Sequence, residues 1–188
     1  MKARADSAAA TAERILDAAV ELFWEHPSVS VSLDEVARRA GVSVQTVIRR
    51  FGGKDGLLAA GLEREGERIG VHRNRAVPGD VPGAVSVLVD HYEELGDRVV
   101  KMLAEEQRVP ALAPIVDRGR ELHRAWCARM FAQALNRHTG VERARLLAQL
   151  VAVCDVYAWK LLRRDSGLSR RQTELAIREL LNGLLGGA

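Results

Sequence analysis

The chain has 188 residues, enough for one or two domains with a sizeable core. Apolar residues make up 47% and charged residues 28% of it, which is ordinary for a soluble globular protein, and the net charge of +3 says little about partners. No apolar run approaches the ~18 residues of a membrane-spanning helix, so we expect no membrane association.

Targeting and redox features favour the cytoplasm. The N-terminal stretch MKARADSAAATAER lacks the long apolar core of a signal peptide. Cys127 and Cys154 lie far apart in helical patterns, outside any CxxC or zinc spacing, so we expect reduced thiols in the core. The sequence therefore predicts a soluble, cytoplasmic protein with no metal or cofactor.

The first predicted helix is Thr11–His26, which Pro27 ends. Residues 1–10 are expected to lack fixed structure. Apolar residues at helical spacing give this helix one inner face. They are Ile15, Ala18, Ala19, Leu22 and Phe23.

Two short helices joined by a tight turn are predicted in SLDEVARRAGVSVQTVIRRF, residues 32–51. Ser32 is placed to cap the first helix, with Glu35 completing a capping box. Gly41 supplies the left-handed residue at which helices commonly end, and Ser43 caps the second helix. A turn of this length and composition is typical of a helix-turn-helix, whose second helix can enter the major groove of DNA.

Basic residues dominate the same region. From Val36 to Lys54 the chain has no acidic residue and five basic ones, which are Arg38, Arg39, Arg49, Arg50 and Lys54. A phosphate backbone favours such surfaces, because each neutralised phosphate releases condensed counterions. The alternative is a solvated helical hairpin inside an ordinary helical protein.

The segment Thr11–Leu62 resembles the DNA-binding domain of TetR-family transcriptional regulators. The similarity lies in TAERILDAAVELF, SLDEVARRAGVS, TVIRRF and GKDGLL, which occur in this order. It implies an N-terminal three-helix DNA-binding domain, a C-terminal effector domain, and contacts to double-stranded DNA. The residues implied in DNA binding are Ser43, Val44, Gln45, Thr46, Arg49, Arg50 and Lys54.

We expect Val44, Gln45 and Arg49 to read base edges, since Gln suits adenine and Arg suits guanine. The other four would hold phosphates, which position the helix without specifying sequence. The family commonly has an aromatic residue, often a tyrosine that reaches a phosphate, where this chain has Ile48. Our hypothesis is that Arg50 restores this phosphate contact.

The remaining chain is predicted to be all-α. A connecting helix starts at Lys54 and runs to about Arg75, and VPGDVPG, residues 77–83, is the clearest break. Pro110 and Pro114 bracket a segment expected to be too broken for a long helix. Further helices are predicted at Ala84–Gln107, Arg118–His138, Val141–Arg164 and Ser169–Leu185. The domains are therefore residues 1–54 for DNA binding, 55–75 as the connecting helix, and 76–188 for ligand binding and dimerisation.

The last two predicted helices carry two apolar stripes that suit a two-fold symmetric four-helix interface, and the family resemblance favours a homodimer. The stripes could instead be core within one chain. The interface residues expected are Leu147, Leu150, Cys154, Tyr157, Leu161, Ile177, Leu181 and Leu184.

The middle helices combine aromatic, thioether and polar side chains, which could line a site for a lipophilic or aromatic small molecule. The candidates are His91, Tyr92, Met102, His123, Trp126, Met130 and Tyr157. Such residues are also common in a plain hydrophobic core.

Taken together, the sequence indicates a homodimeric, ligand-responsive repressor that a small molecule releases from a palindromic operator. Two alternatives are an architectural DNA-binding protein and a helical adaptor, both without an effector. An enzyme is the other rival, but His91 and Glu94 at i and i+3 complete no HExxH or ferritin-like motif. No nucleotide-binding or nucleophile-elbow motif is present either, so we expect no catalysis.

Overall fold

The computed structural model describes residues 2–27 and 30–186, and these residues contain helices and no strand. The predicted all-α fold is confirmed. Ten α-helices follow one another: α1 (Lys2–Glu25), α2 (Leu33–Ala40), α3 (Val44–Phe51), α4 (Lys54–Arg73), α5 (Val81–Glu105), α6 (Ala113–Met130), α7 (Ala132–Leu135), α8 (Gly140–Val153), α9 (Val156–Lys160) and α10 (Arg170–Gly186). A 3-10 turn at Pro110–Leu112 precedes α6, and a π-helical turn at Leu161–Asp165 follows α9.

The helices form two compact units. The first contains the described residues of Met1–Glu67 together with Glu105–Val116, and the second contains those of Arg68–Ala104 together with Asp117–Ala188. Because α4 spans residues 54–73, it contributes residues to both units.

The core of the first unit forms because α1, α2, α3 and α4 each bury one apolar face. Its fully buried side chains include Ile15, Leu22, Val36, Val47 and Leu57. Ion pairs also hold α4 to α1. The Arg64 guanidinium lies 3.0 Å from Glu13 and 2.9 Å from Asp17.

The core of the second unit centres on Trp159, whose side chain is fully buried. Its indole Nε1 donates a hydrogen bond of 3.1 Å to Glu93 on α5, and the Arg164 guanidinium lies 4.6 Å from its ring centroid. Leucine and isoleucine residues of four helices fill the surrounding space: Leu88, Leu135, Leu150, Ile177 and Leu181.

The N-terminal prediction was wrong for residues 2–10, because α1 already begins at Lys2. Ala8, Ala9 and Ala10 are strong helix formers, and no glycine or proline interrupts the segment. Met1 lies outside the described residues, as do Ser28 and Val29 of the predicted loop after Pro27.

Two predicted helix boundaries also need correction. Pro114 stands in the first turn of α6, where its missing N–H costs no intrahelical hydrogen bond, so it starts a helix of 18 residues. The predicted helix Val141–Arg164 is divided, because the Asp155 carboxylate accepts from the Tyr157 N–H at 2.9 Å and caps α9. By contrast, Ser169 caps α10 as predicted, accepting from the Gln172 N–H at 3.3 Å.

No helix in the described part of the chain is both long and apolar enough to cross a bilayer. Across residues 2–27 and 30–186, no three histidine, cysteine or acidic side chains meet in a group that could hold a metal ion.

Candidate nucleic-acid interface

The turn between α2 and α3 is fixed by local hydrogen bonds. Ser32 caps α2, its Oγ accepting from the Glu35 N–H at 3.2 Å. Gly41 then adopts φ 67° and ψ 39°, a left-handed conformation that suits glycine, and α2 ends there. Only residues 41–43 separate the two helices, as in a helix-turn-helix.

Ser43 organises the first turn of α3, the predicted recognition helix. Its Oγ accepts from the Thr46 N–H at 3.2 Å and lies 2.9 Å from the Thr46 hydroxyl. Val47 is fully buried and anchors the helix, whereas Ile48 is 46% exposed. Gly52, with φ 75°, ends the helix, and its N–H donates to the Ile48 carbonyl at 2.8 Å.

The predicted DNA-binding residues lie on and just after this helix. Ser43, Gln45, Arg49 and Arg50 are exposed, and Val44, Thr46 and Lys54 are half-buried. In the described chain, neither Arg49 nor Arg50 takes part in an ion pair. These two guanidinium groups are therefore available to an external anion.

Arg38 and Arg39, the other arginines between Val36 and Lys54, pair with carboxylates within the protein. Both terminal nitrogens of Arg39 bond the carboxylate of Glu25, at 3.0 and 2.9 Å, and these hydrogen bonds lower the pKa of Glu25. Arg38 lies 3.7 Å from Glu35. The five basic residues therefore do not form one surface, since Arg39 joins α2 to α1.

The junction between α3 and α4 leaves no room for a side chain at Gly56. A Cβ atom there would lie 3.2 Å from the Phe51 carbonyl carbon and closer still to its oxygen. Gly53, with φ 138°, makes the turn between the two helices, and its carbonyl accepts from the Leu57 N–H at 3.0 Å. The glycines of GKDGLL thus set how α4 follows the recognition helix.

The predicted pocket residues separate into two groups in the second unit. His91, Tyr92, His123, Trp126 and Met130 are buried. Met102 is half-buried, and Tyr157 is 49% exposed, so its side chain does not share their surroundings. The rings of His91 and Tyr92 have centroids 5.1 Å apart, and His123 stacks on Trp126 at 6.5 Å.

Arg73, at the end of α4, joins these side chains and was missed at the sequence level. Its Nη1 lies 3.0 Å from His123 Nδ1, and its Nη2 donates to the Tyr92 hydroxyl at 2.9 Å. The Trp126 indole donates to the Arg73 carbonyl at 3.1 Å. The sequence around Arg73 is polar, and no local pattern indicates that the Arg73 side chain is buried.

The residues predicted for the dimer interface differ in how deeply they are buried. Four have at most 1% of their surface exposed and belong to the core of the second unit: Leu150, Cys154, Ile177 and Leu181. A side chain buried within one chain cannot contact a second copy, so these four are withdrawn from the interface. Leu147 is also buried, whereas Leu161 is 59% and Tyr157 49% exposed, and Leu184 is half-buried.

A family model described as "Bacterial regulatory proteins, tetR family" matches residues 15–60. An HTH-type transcriptional regulator of Mycobacterium tuberculosis is 41% identical over 59 residues, which are 31% of this chain and 29% of that protein. The HTH-type transcriptional repressor KstR of Mycolicibacterium smegmatis is 28% identical over 184 residues, covering 90% of this chain and 86% of KstR. Both relatives are regulators by name, so the enzyme alternative is set aside.

Solved structures show the same fold over nearly the whole chain. Salmonella enterica GusR superposes with a TM-score of 0.73 at 22% identity, covering 94% of this chain and 95% of GusR. A complex of SmeT with triclosan gives a TM-score of 0.69 at 20% identity and covers 93% of this chain and 90% of SmeT. The family model and the named relatives support the resemblance to TetR-family regulators seen in the sequence, and the solved structures show that the chain shares their fold.

Proposed function

We propose that the protein is a transcriptional regulator that binds double-stranded operator DNA through α3. The observation that carries the proposal is the exposed end of α3, where Arg49 and Arg50 have no ion pair within the described chain. The helix is capped at both ends and anchored by Val47, so it presents these charges on a fixed support. The name of KstR supports the further proposal that the regulator is a repressor.

Within this interface, Gln45 and Arg49 read base edges and Val44 offers an apolar contact. Ser43, Thr46, Arg50 and Lys54 hold phosphates. Because Ile48 is exposed but cannot donate a hydrogen bond, Arg50 supplies the phosphate contact at that part of the helix.

Selection of bound fragments from the source genome, at roughly physiological salt, tests the proposal. Enrichment of a near-palindromic sequence is expected from a dimer that presents two recognition helices, with half-sites ~34–36 Å or a multiple of this apart. Binding without sequence preference and with a steep salt dependence would instead support the architectural alternative.

Two arginine variants separate base reading from phosphate binding. Arg49→Ala should relax the preference at one base pair and cost about 1–3 kcal/mol on the preferred sequence. Arg50→Ala should weaken binding to all operator variants alike. Arg118→Ala removes an exposed arginine of α6, which lies 3.4 Å from Glu121, and serves as the charge control. A uniform loss for Arg49→Ala would contradict its base-reading role.

We further propose a homodimer that uses the exposed apolar residues at the C-terminal end of the chain. Leu161 is 59%, Leu180 50% and Tyr157 49% exposed. Replacing Leu161 and Leu180 together by glutamate should give a monomer by solution mass and weaken operator binding. Leu122→Glu on α6, at a leucine 46% exposed, is the control. A monomeric wild-type protein at micromolar concentration would exclude the dimer.

Response to a small molecule is the remaining part of the proposal. In it, residues 76–188 form the effector and dimerisation domain, and residues 1–54 form the DNA-binding domain. The solved complex of SmeT with triclosan supports a small-molecule effector of lipophilic or aromatic character. A ligand that binds one conformation better than the other shifts the equilibrium between them, and α4 is the helix through which such a shift would reach the DNA-binding residues. A ligand screen by thermal shift, followed by DNA release, tests this. The cytoplasm is the proposed location.

A further inference from the structure

Arg73 is a buried guanidinium whose charge the surrounding chain does not neutralise. The residue is 8% exposed, and among the described residues it forms no ion pair with a carboxylate. A buried cation normally has a partner, because removing a charge from water is costly unless an opposite charge compensates for it. Arg73 therefore requires an explanation beyond packing.

The hydrogen bonds of Arg73 leave donors unused. A guanidinium has five N–H groups, and His123 Nδ1 and the Tyr92 hydroxyl are its two side-chain partners. Its Nε is buried and has no hydrogen-bond partner. Since His123 accepts at Nδ1, its proton lies on Nε2, which donates to the Val151 carbonyl at 3.2 Å. The Tyr92 hydroxyl donates to the Cys154 carbonyl at 3.0 Å.

The surroundings of Arg73 are aromatic, and Arg73 itself supplies their positive charge. Its guanidinium carbon lies 5.2 Å from the Trp126 ring centroid and 5.5 Å from that of Tyr92. Burial, with added repulsion from Arg73, lowers the pKa of His91 to about 3, so this ring is neutral at physiological pH. The cluster disfavours further positive charge and favours an anion.

We propose that Arg73 binds the carboxylate of a lipophilic or aromatic organic acid, and that such acids are the effector class. This inference rests on the proposed ligand-responsive function and names its ligand. The free Nε–H and the remaining Nη protons can bond two carboxylate oxygens side by side. A single guanidinium balances a monoanion, whereas a phosphate dianion would leave a negative charge buried. The Trp126 and Tyr92 rings suit the apolar body of the acid.

The internal alternative to a ligand is the thiolate of Cys127. Its Sγ lies 3.9 Å from His123 Nε2. A hydrogen bond from Cys154, together with the His123 and Arg73 environment, lowers the pKa of Cys127 to about 5. A thiolate in this position would compensate Arg73 without any ligand, so the experiment has to distinguish the two.

The test measures binding of matched acid and neutral probes to the full-length protein. The acids are octanoate, decanoate, benzoate and phenylacetate, and the controls are their methyl esters or amides, with inorganic phosphate as a further anion. Calorimetry should show at least one acid binding about 10- to 100-fold more tightly than its neutral counterpart, the range expected for hydrogen bonds to a charged group. If no acid binds better than its neutral counterpart, the proposal is wrong.

Variants then assign the preference to Arg73. Arg73→Met should abolish the preference for the acid, Arg73→Lys should weaken it while keeping the charge, and Arg118→Met should leave it unchanged. Circular dichroism verifies that each variant is folded, and Arg73→Lys carries the test if Arg73→Met is not. A preference that survives in folded Arg73→Met, or that is undiminished in folded Arg73→Lys, would overturn the proposal.

Two further measurements separate the thiolate alternative and the proposed function from the ligand proposal. Cys127→Ser should leave acid binding intact. If acid binding appears only after this substitution, the Cys127 thiolate neutralises Arg73 in the native protein, and the proposal is overturned. Operator binding is measured without acid, so a protein that binds acids but no operator would refute the proposed function and leave the acid site standing. A protein that binds its operator but no acid would refute only the inference about Arg73.

Discussion

Gly56 stands in the first turn of α4, where any side chain would collide with the end of the recognition helix. A Cβ atom at this position would lie closer than 3.0 Å to the Phe51 carbonyl oxygen and 3.2 Å from the carbonyl carbon, whereas ordinary contacts begin at 3.4 Å. Because these atoms belong to the backbone, no rotamer change can relieve the overlap. In Gly56→Ala, α3 and the start of α4 must therefore move apart by on the order of 1 Å.

Gly66 on the same helix gives a matched control, since a Cβ atom there meets nothing within 4 Å. Replacing a helical glycine by alanine stabilises by up to about 1 kcal/mol, and both variants share this gain. The difference between them therefore measures the overlap, which should cost about 1–3 kcal/mol. For a chain of this length, that cost corresponds to a difference in melting temperature of about 2–12 °C.

Thermal unfolding followed by circular dichroism measures the stability difference, and titration with the selected operator measures its effect on DNA binding. Gly56→Ala should melt below Gly66→Ala and bind the operator more weakly, because the displaced α3 presents Gln45 and Arg49 at the wrong angle. Equal melting temperatures and equal affinities would refute the reasoning and show that the junction adapts without cost.

Three further substitutions or conditions give expected outcomes. Gly96→Ala should lower the free energy of unfolding by about 1–3 kcal/mol, because the new Cβ would lie 2.5–2.9 Å from ring carbons of the buried Trp159. Urea denaturation measures this change, and an unchanged midpoint of unfolding would contradict the packing. As pH falls from 6.5 toward 3, the free energy of unfolding should decrease by up to ~1.4 kcal/mol per pH unit. The reason is that the pKa of His91 is about 3 in the folded state, so between these pH values the unfolded chain binds a proton at His91 and the folded chain does not. His91→Gln should flatten this part of the stability profile, and an equal slope in the variant would exclude His91 as the cause. Ser43→Ala should cost about 0.5–2 kcal/mol of stability and weaken operator binding, since the Thr46 N–H loses its acceptor; Ser30→Ala, outside both helices, is the control.

The helix-turn-helix could be predicted from the sequence because its determinants are local. The Ser32 hydroxyl bonds a backbone group three residues away, as does the Ser43 hydroxyl, and Gly41 acts on its own backbone. Such interactions depend on a few consecutive residues, so the order of residue types is enough to predict them. The cap of α10 at Ser169 was predicted for the same reason.

The partners of charged side chains could not be predicted in this way. Arg39 meets Glu25, 14 residues away, and Arg73 meets His123, 50 residues away, so each pairing depends on how helices pack. The same limit explains why the apolar stripes of the last two predicted helices did not show which residues face solvent. Leu150 and Leu161 are both leucines at helical spacing, yet one is fully buried and the other is 59% exposed.

Three of the arginines that form no ion pair in the described chain stand in two different environments, which leads to a final prediction. Arg49 and Arg50 are exposed and Arg73 is buried, so salt should screen the first pair strongly and Arg73 weakly. Raising KCl from 50 to 200 mM should weaken operator binding by a factor of about 10³–10⁵ if 6–10 phosphates are contacted. The dissociation constant of the acid should change by less than roughly tenfold over the same range, because buried pairs are screened much less. If acid binding weakened with salt as steeply as operator binding, the acid would bind at the surface and not at Arg73, whatever its affinity.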